Sequence, residues 1–287
     1  MDPLSDMLSG IRAEGAAVRQ ASLEPPWTIV FDDGAALTML TVMSGGGALV
    51  LADGTTLAMG AGDTALVRGP VPFRLNDTAD TGGAADGSEG SEGSTTLLVG
   101  AYQATRGRHE RLLGTLPPAL VLHEEIDGVL WLDSARDALA RRGQPGSRAL
   151  IDRVLDWGLV CTLGCWFEQE GTRAPAWYRG ALDPVVGPAL DAIHERPEAA
   201  WTVGSLADRS KVSRAHLAKR FTEVVGTPPL SYLTEWRLSV AEELLVDPDL
   251  SVARIARSVG YADPAAFSTA FRRQRGMSPR EFRLRSA

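Results

Sequence analysis

One pattern is written twice between Thr202 and Phe282, and it restricts the fold more than anything else in the 287 residues. Leu217, Phe221, Gly226, Pro229 and Tyr232 return fifty residues later as Phe267, Phe271, Gly276, Pro279 and Phe282, each in its chemical class and place. Each copy reads as two short helices joined by a tight turn, with the repeated residues on the second helix. In the first copy Thr202 caps a helix with the apolar stripe Val203, Leu206 and Ala207, and Ser213 caps a helix that turns Leu217 and Phe221 inward. In the second, Ser251 caps a helix burying Val252, Ile255, Ala256 and Val259, and Gly260 ends it in the left-handed conformation such ends favour. Asp263 caps the next helix, and Pro264 takes its first position, where a missing N–H costs no hydrogen bond. Two helix-turn-helix units result. Between them Ser231 to Val246 lacks Gly and Pro and spaces Tyr232, Leu233, Trp236, Leu238, Ala241, Leu244 and Leu245 helically, which predicts one continuous helix holding the units apart.

This region resembles the DNA-binding domain of the AraC/XylS family of bacterial transcription regulators. The resemblance is carried by Leu206-Ala207, Val212-Ser213, Leu217, Arg220-Phe221, Gly226, Pro228, Tyr232, Trp236-Arg237 and Ala241. It continues in Ile255-Ala256, Val259-Gly260-Tyr261, Phe267-Ser268, Phe271-Arg272, Gly276 and Ser278-Pro279. A lone helix-turn-helix pattern is weak, whereas this doubled, correctly spaced set is specific. One departure is Lys211, where the family usually has Gly in the turn of the first unit. The resemblance implies double-stranded promoter DNA as partner, and RNA polymerase too if the protein activates. It implies base readout by Arg214, Ala215, Ala218 and Lys219 in the first unit and by Pro264, Ala265, Ala266 and Thr269 in the second. Ser213, Arg220, Ser268, Arg272 and Arg273 are then backbone contacts, which position the domain without reading sequence.

Ahead of the repeat, residues 1 to about 22 read as a short helix with Leu4, Met7, Leu8 and Ile11 on one face. From Trp27 to His123 the signal turns to β-rich runs: Trp27–Phe31, Leu37–Met43, Ala48–Leu51, Thr55–Met59, Thr64–Val67, Val71–Leu75, Thr96–Tyr102 and Ala119–Leu122. Turn signals such as Asp33-Gly34 and Asp53-Gly54 separate them, and this spacing suggests a barrel or jelly roll. Asn76 to Ser94 holds no large apolar residue and predicts a loop. Through Gly62-Asp63-Thr64-Ala65-Leu66-Val67, Gly69-Pro70 and Leu116-Pro117-Pro118 the region resembles the cupin-type sensor domain of one AraC-family branch. A metal-binding cupin would carry a histidine pair and a glutamate near residues 64 to 75. Phe73 stands there and no histidine precedes His109, so the fold is carried over without a metal or other cofactor. His109 and His123 read as surface or structural groups.

Helical periodicity returns over Trp131–Arg142 and, after the Gly143 to Gly146 turn, over Ser147–Glu170. The second helix presents Leu150, Ile151, Val154, Leu155, Leu159, Val160 and Leu163, more than one buried stripe needs. In the resembling family such helices make the dimer contact, so a homodimer is expected. Cys161 and Cys165 share a face of this helix and are candidate sensor thiols for a soft metal, oxidant or electrophile; the alternative is that both are small apolar packing residues. Asp183 to Arg196 predicts a further helix in which His194 fills a structural slot.

The net charge of −7 conceals an asymmetry. From Pro197 onward there are 14 Lys and Arg against 10 Asp and Glu, leaving 15 against 26 in the acidic remainder, which is not the nucleic-acid binder. Two cysteines make no disulfide framework or zinc array and fit a reducing cytoplasm. Asp2, Asp6, Glu14 and Glu24 interrupt any signal peptide, and the apolar run from Trp157 to Phe167 falls short of the roughly 20 residues that span a bilayer, so no membrane partner is expected.

The fold expected is α+β and multidomain. A cupin-like sensor barrel occupies residues 1–128, a helical dimerisation segment 129–180 and an all-α double helix-turn-helix 181–287. The expected function is a sequence-specific DNA-binding transcription regulator whose barrel senses a small molecule or stress signal, with no catalytic residue. A cysteine-based redox, electrophile or metal sensor is the second reading. A cupin enzyme with an accessory DNA-binding module is the third, and it lacks the metal ligands such enzymes use.

Overall fold

The β-rich runs read from the sequence form eight strands in the computed structural model, which describes residues 2–9, 11, 25–77, 94–103, 107–123, 129–141 and 143–286. In chain order the first elements are α1 (Pro3–Met7), β1 (Thr28–Phe31), β2 (Leu37–Ser44), β3 (Gly46–Val50), β4 (Thr56–Gly60), β5 (Thr64–Arg68), β6 (Phe73–Asn76), β7 (Thr96–Tyr102), α2 (Arg108–Leu113) and β8 (Ala119–Leu122). The rest are helical: α3 (Val129–Ala140), α4 (Ser147–Glu170), α5 (Ala176–Leu182), α6 (Gly187–Glu195), α7 (Val203–Arg209), α8 (Arg214–Val225), α9 (Pro229–Leu245), α10 (Val252–Ser258), α11 (Pro264–Arg275) and α12 (Pro279–Ser286). The helix expected over residues 1 to 22 is shorter, since α1 starts at the Asp2 cap and ends at Leu8, and residues 12–24 lie outside the described residues. Most of the predicted loop, 78–93, also lies outside them.

The chain forms two units that interleave in sequence. One is Ile11–Ala104 with Leu116–Gln169; the other is Met1–Gly10 with Thr105–Thr115 and Glu170–Ala287. The linear division at residues 128 and 180 cuts across both.

The first unit holds two four-stranded antiparallel sheets, in the orders β1-β6-β3-β4 and β7-β2-β5-β8. Alternate residues of both sheets meet in one core, where Ile29, Phe31, Leu49, Met59, Phe73 and Leu75 face Leu40, Val42, Ala65, Val67, Leu97 and Val99. Phe31 and Phe73 stack there with ring centroids 4.7 Å apart. Strand β2 is buried on both faces rather than alternating. The outer face of its sheet is covered by α4, whose Leu155 carbonyl accepts a buried hydrogen bond from Tyr102 Oη at 2.9 Å. Helix α3 seats the Trp131 ring on α4 at Gly158, where an added Cβ would stand 2.7 Å from the indole.

In the second unit the repeat is structural as well as sequential. Phe221 meets Tyr232 edge-to-face at 5.8 Å, and at the equivalent place Phe271 meets Phe282 edge-to-face at 5.5 Å. Leu238, Ala241 and Leu245 of α9 join Ile255, Ala256, Val259, Phe267, Phe271 and Phe282 in the core of the second copy. In the other copy Leu206, Ala207, Leu217 and Phe221 are all buried, as are Tyr232 and Trp236 of α9.

Candidate nucleic-acid interface

Helices α8 and α11 are equally long, twelve residues each, and are built alike. The Ser213 side chain accepts from the His216 N–H, and the Asp263 carboxylate accepts from the Ala265 and Ala266 N–H groups. Gly226 (φ 83°) and Gly276 (φ 72°) close the two helices in the left-handed region. With Leu217, Phe221, Phe267 and Phe271 turned inward, the opposite faces are open. Ser213, Arg214, Ala215, Lys219, Ala265, Ala266, Thr269, Arg272 and Arg273 are exposed, and Ala218, Pro264 and Ser268 are half-buried. The structure therefore brings the expected base-reading residues of each copy onto one solvent face. The turns ahead of these helices also match, through a Val212 N–H to Ala207 carbonyl bond (3.1 Å) and a Tyr261 N–H to Ala256 carbonyl bond (2.8 Å). Lys211 adopts φ 57° where its counterpart Gly260 has φ 85°. The lysine thus keeps the family's turn at a cost on the order of 1 kcal/mol.

Lys219 is the long donor of the α8 face; its side chain is 80% exposed, with Glu223 at 3.9 Å one turn on. Arg220 is committed elsewhere. Its guanidinium lies 2.6 Å from Asp183, whose carboxylate also caps the chain ahead of α6 by accepting from the Val185 and Val186 N–H groups. Burial raises the Asp183 carboxyl, but those N–H groups and Arg220 outweigh it and hold it below its ordinary value. On the second copy Ser268, Thr269, Arg272, Arg273 and Ser278 line an open hollow. Ser278 stands at the N-terminal end of α12, where its N–H and hydroxyl both donate to the Glu281 carboxylate at 2.7 Å.

Helix α9 ties the copies together. Arg237 donates to the Pro197 and Ala199 carbonyls at 2.6 and 2.7 Å and lies over the Tyr261 ring at 5.8 Å. Gly260 leaves it room, because a Cβ there would come within 2.6 Å of Arg237 and of the Glu198 carbonyl. Arg275, ending α11, pairs with Glu235 at 2.7 Å and with Glu242. Burial pushes the Glu242 carboxyl up while Arg275 opposes it.

A second network, invisible in the sequence pattern, joins α1 and α2 to α6 and α9. The buried Asp6 carboxylate meets Arg108 at 2.6 Å and the fully buried His194 ring at 3.0 Å, and the other ring nitrogen of His194 lies 2.9 Å from Tyr232 Oη. Arg108 also makes a two-pronged pair with Glu243, at 2.9 and 2.7 Å. Gly107 permits the approach, since a Cβ there would sit 2.3 Å from the Ser239 carbonyl. His194 does occupy a structural slot; no local motif announced Asp6, Arg108 or Glu243.

In the sheet unit Cys161 and Cys165 are half-buried and outside any disulfide. They share a cavity of about 30 Å³ with Thr64, Leu122, His123, Trp131 and Leu132. Burial, then the neighbouring Cys165, pushes the Cys161 thiol up, against a hydrogen bond from Trp157. His123 is exposed and holds Asp63 at 3.0 Å; His109 is buried against the Ser9 carbonyl at 3.0 Å. A larger hollow of about 250 Å³ opens among Leu51, Val67, Val71, Phe73 and Pro118, with Asp53 and Arg68 also in its wall.

Two family profiles cover most of the chain: a cupin profile matches residues 2–168 and a helix-turn-helix domain profile residues 206–285. An AraC-like transcription regulator of Streptomyces antibioticus is 31% identical over 99% of this chain and 98% of its own length. The HTH-type transcriptional regulator AlkR of Acinetobacter baylyi is 29% identical over the whole of both chains. Among solved structures, the DNA-binding domain of the global transcriptional factor AdpA, in complex with a target DNA, is 34% identical over 36% of this chain and 91% of that one, with a TM-score of 0.33.

Proposed function

The chain belongs to the AraC-type DNA-binding transcription regulators and carries a cupin domain on its N-terminal side, and we propose that each chain reads a bipartite promoter site with α8 and α11. The observation that carries this is the pair of equally long, side-chain-capped helices with open outer faces, α8 meeting α9 through Phe221 and Tyr232 and α11 meeting it through Arg275 and Glu235. Two such helices suit successive major-groove segments on one side of DNA, about 34 Å apart. Lys219 suits a guanine edge, and the Ala265, Ala266 and Thr269 face suits thymine methyls, so the second half-site is read more loosely. Ser213, Ser268, Arg272 and Arg273 hold phosphates, with Arg220 held by Asp183 as a bracing residue. The experiment is selection of bound sequences from random DNA by the full chain, repeated with Ala215→Glu and Ala265→Glu. Each exposed glutamate should erase one half of the selected motif; an unaltered motif counts against the assignment.

A second copy of the chain covers α4 in this reading. One face of α4 packs on the sheet, yet Leu150, Trp157 and Val160 leave about half of each side chain in solvent along the other, and Gly164 offers bare backbone beside them. The effector is a small molecule in the hollow lined by Leu51, Val67 and Phe73. Its volume, about 250 Å³, exceeds the roughly 150 Å³ that accepts benzene. The effector acts through chain continuity, because residues 105–115 of the reader unit join β7 to β8 of the sheet unit. The action is that of a regulator and not an enzyme, in the cytoplasm where promoters and RNA polymerase are. No helix among the described residues is long and apolar enough to cross a membrane.

A further inference from the structure

Cys161 and Cys165 lie one helical turn apart on α4 and line the same cavity, beside Thr64, Leu122, His123, Trp131 and Leu132. What that cavity admits is decided by size. At about 30 Å³ it holds one water or one monatomic ion, so an organic effector or bulky electrophile does not enter. Geometry then weighs against a disulfide. Helical i,i+4 Cβ atoms stand about 5–6 Å apart, whereas a disulfide needs roughly 3.5–4.5 Å, so oxidation would require unwinding α4. A cation placed between the sulfurs removes that mismatch, because two metal–sulfur bonds of about 2.3 Å each lengthen the bridge. Zinc is a poor occupant, since its structural sites take four ligands and among the described residues no group of three or more His, Cys, Asp or Glu side chains is placed to hold a metal. Two soft donors alone suit a closed-shell cation that accepts linear two-coordination.

We propose that Cys161 and Cys165 form a two-thiolate site for a soft monovalent cation of the Cu⁺ and Ag⁺ class. Binding forms two sulfur–metal bonds, releases the two thiol protons to solvent and transfers no electron. The folded helix holds the two thiols on one side of α4 before the cation arrives, a preorganisation that a flexible dithiol lacks.

The test uses the full reduced chain with Cu⁺ supplied from a colorimetric chelator as competitor, and it needs no DNA, so its outcome is separate from that of the reading above. One equivalent of Cu⁺ per chain should be taken up, with an ultraviolet thiolate-to-metal band, at an affinity at least about tenfold above that of the same chain in denaturant. Zn²⁺ should not compete. In the wild-type protein one equivalent should shield both thiols from iodoacetamide, read by mass spectrometry, which holds whether or not a variant folds. Cys161→Ala and Cys165→Ala should each weaken uptake at least tenfold. Uptake surviving in the single variants, an unfolded chain binding as tightly, or alkylation unaffected by Cu⁺ would each overturn the proposal.

Discussion

At the scale of single residues, the proposed reading gives each long side chain on the outer faces of α8 and α11 one chemical job that can be measured. Lys219 is the exposed donor of α8, with Glu223 as its distant neighbour. Lys219→Ala should lose about 1–3 kcal/mol on the selected site and relax preference at one base pair, while Arg272→Ala should weaken all sequences alike and reduce the salt slope by about 1. Competition binding at several salt concentrations separates the two. His194 contributes a pH dependence to stability. Burial holds its ring below the ordinary value; Asp6 pulls it up, Arg111 down and Asp191 up, and Tyr232 takes its second nitrogen. The folded ring is therefore neutral where the unfolded chain takes up a proton, near pH 6.5. This part of the stability is fully present above that pH and is lost as pH falls below it toward the lower folded value. Urea midpoints should drop between about pH 7.5 and 5.5, and less so in His194→Gln. An equal drop in both proteins would place the effect in other groups. The exposure of Lys219 and Arg272 was legible in the sequence, because the repeat fixes which helix face is outward. The Asp6, Arg108 and Glu243 network was not, since its partners are 102 and 135 residues apart and no local period links them.

At the scale of elements, the repeat explains why the two reader copies share caps, turn bonds and edge-to-face aromatic pairs. Helix periodicity, Gly and Pro positions and caps are local signals, which is why α8, α9 and α11 and the eight strand runs could be read directly. Pairing was not readable: that β2 is buried on both faces follows from α4 lying over its sheet, a contact no alternation pattern reports. The turns make a paired prediction. Lys211→Gly should stabilise the protein by about 0.5–1 kcal/mol, since glycine adopts the left-handed conformation without a Cβ clash. Gly260→Ala should destabilise it by about 1–3 kcal/mol, because it adds a Cβ at φ 85° within 2.6 Å of Arg237 and the Glu198 carbonyl. Thermal midpoints of the two variants moving in the same direction would show that the turns are not equivalent.

At the scale of the molecule, charge and burial divide the labour. The residues from Pro197 onward are net positive within an acidic chain, which favours their approach to phosphates over that of the preceding residues. The apolar stripe on α4 is where a second chain would add another pair of half-sites. Trp157→Glu with Val160→Glu should give a monomer by light scattering and weaken binding to a doubled site more than to a single one; a dimer that persists would place the interface elsewhere. In the proposed reading one chain holds two reading helices at a fixed separation. The most direct measurement is the affinity of the full chain for its selected site after about 5 base pairs, half a helical turn, are inserted between the two halves. The insertion turns one half-site to the far side of the duplex. A loss of at least tenfold is expected, while an affinity indifferent to the insertion would contradict bipartite reading by α8 and α11.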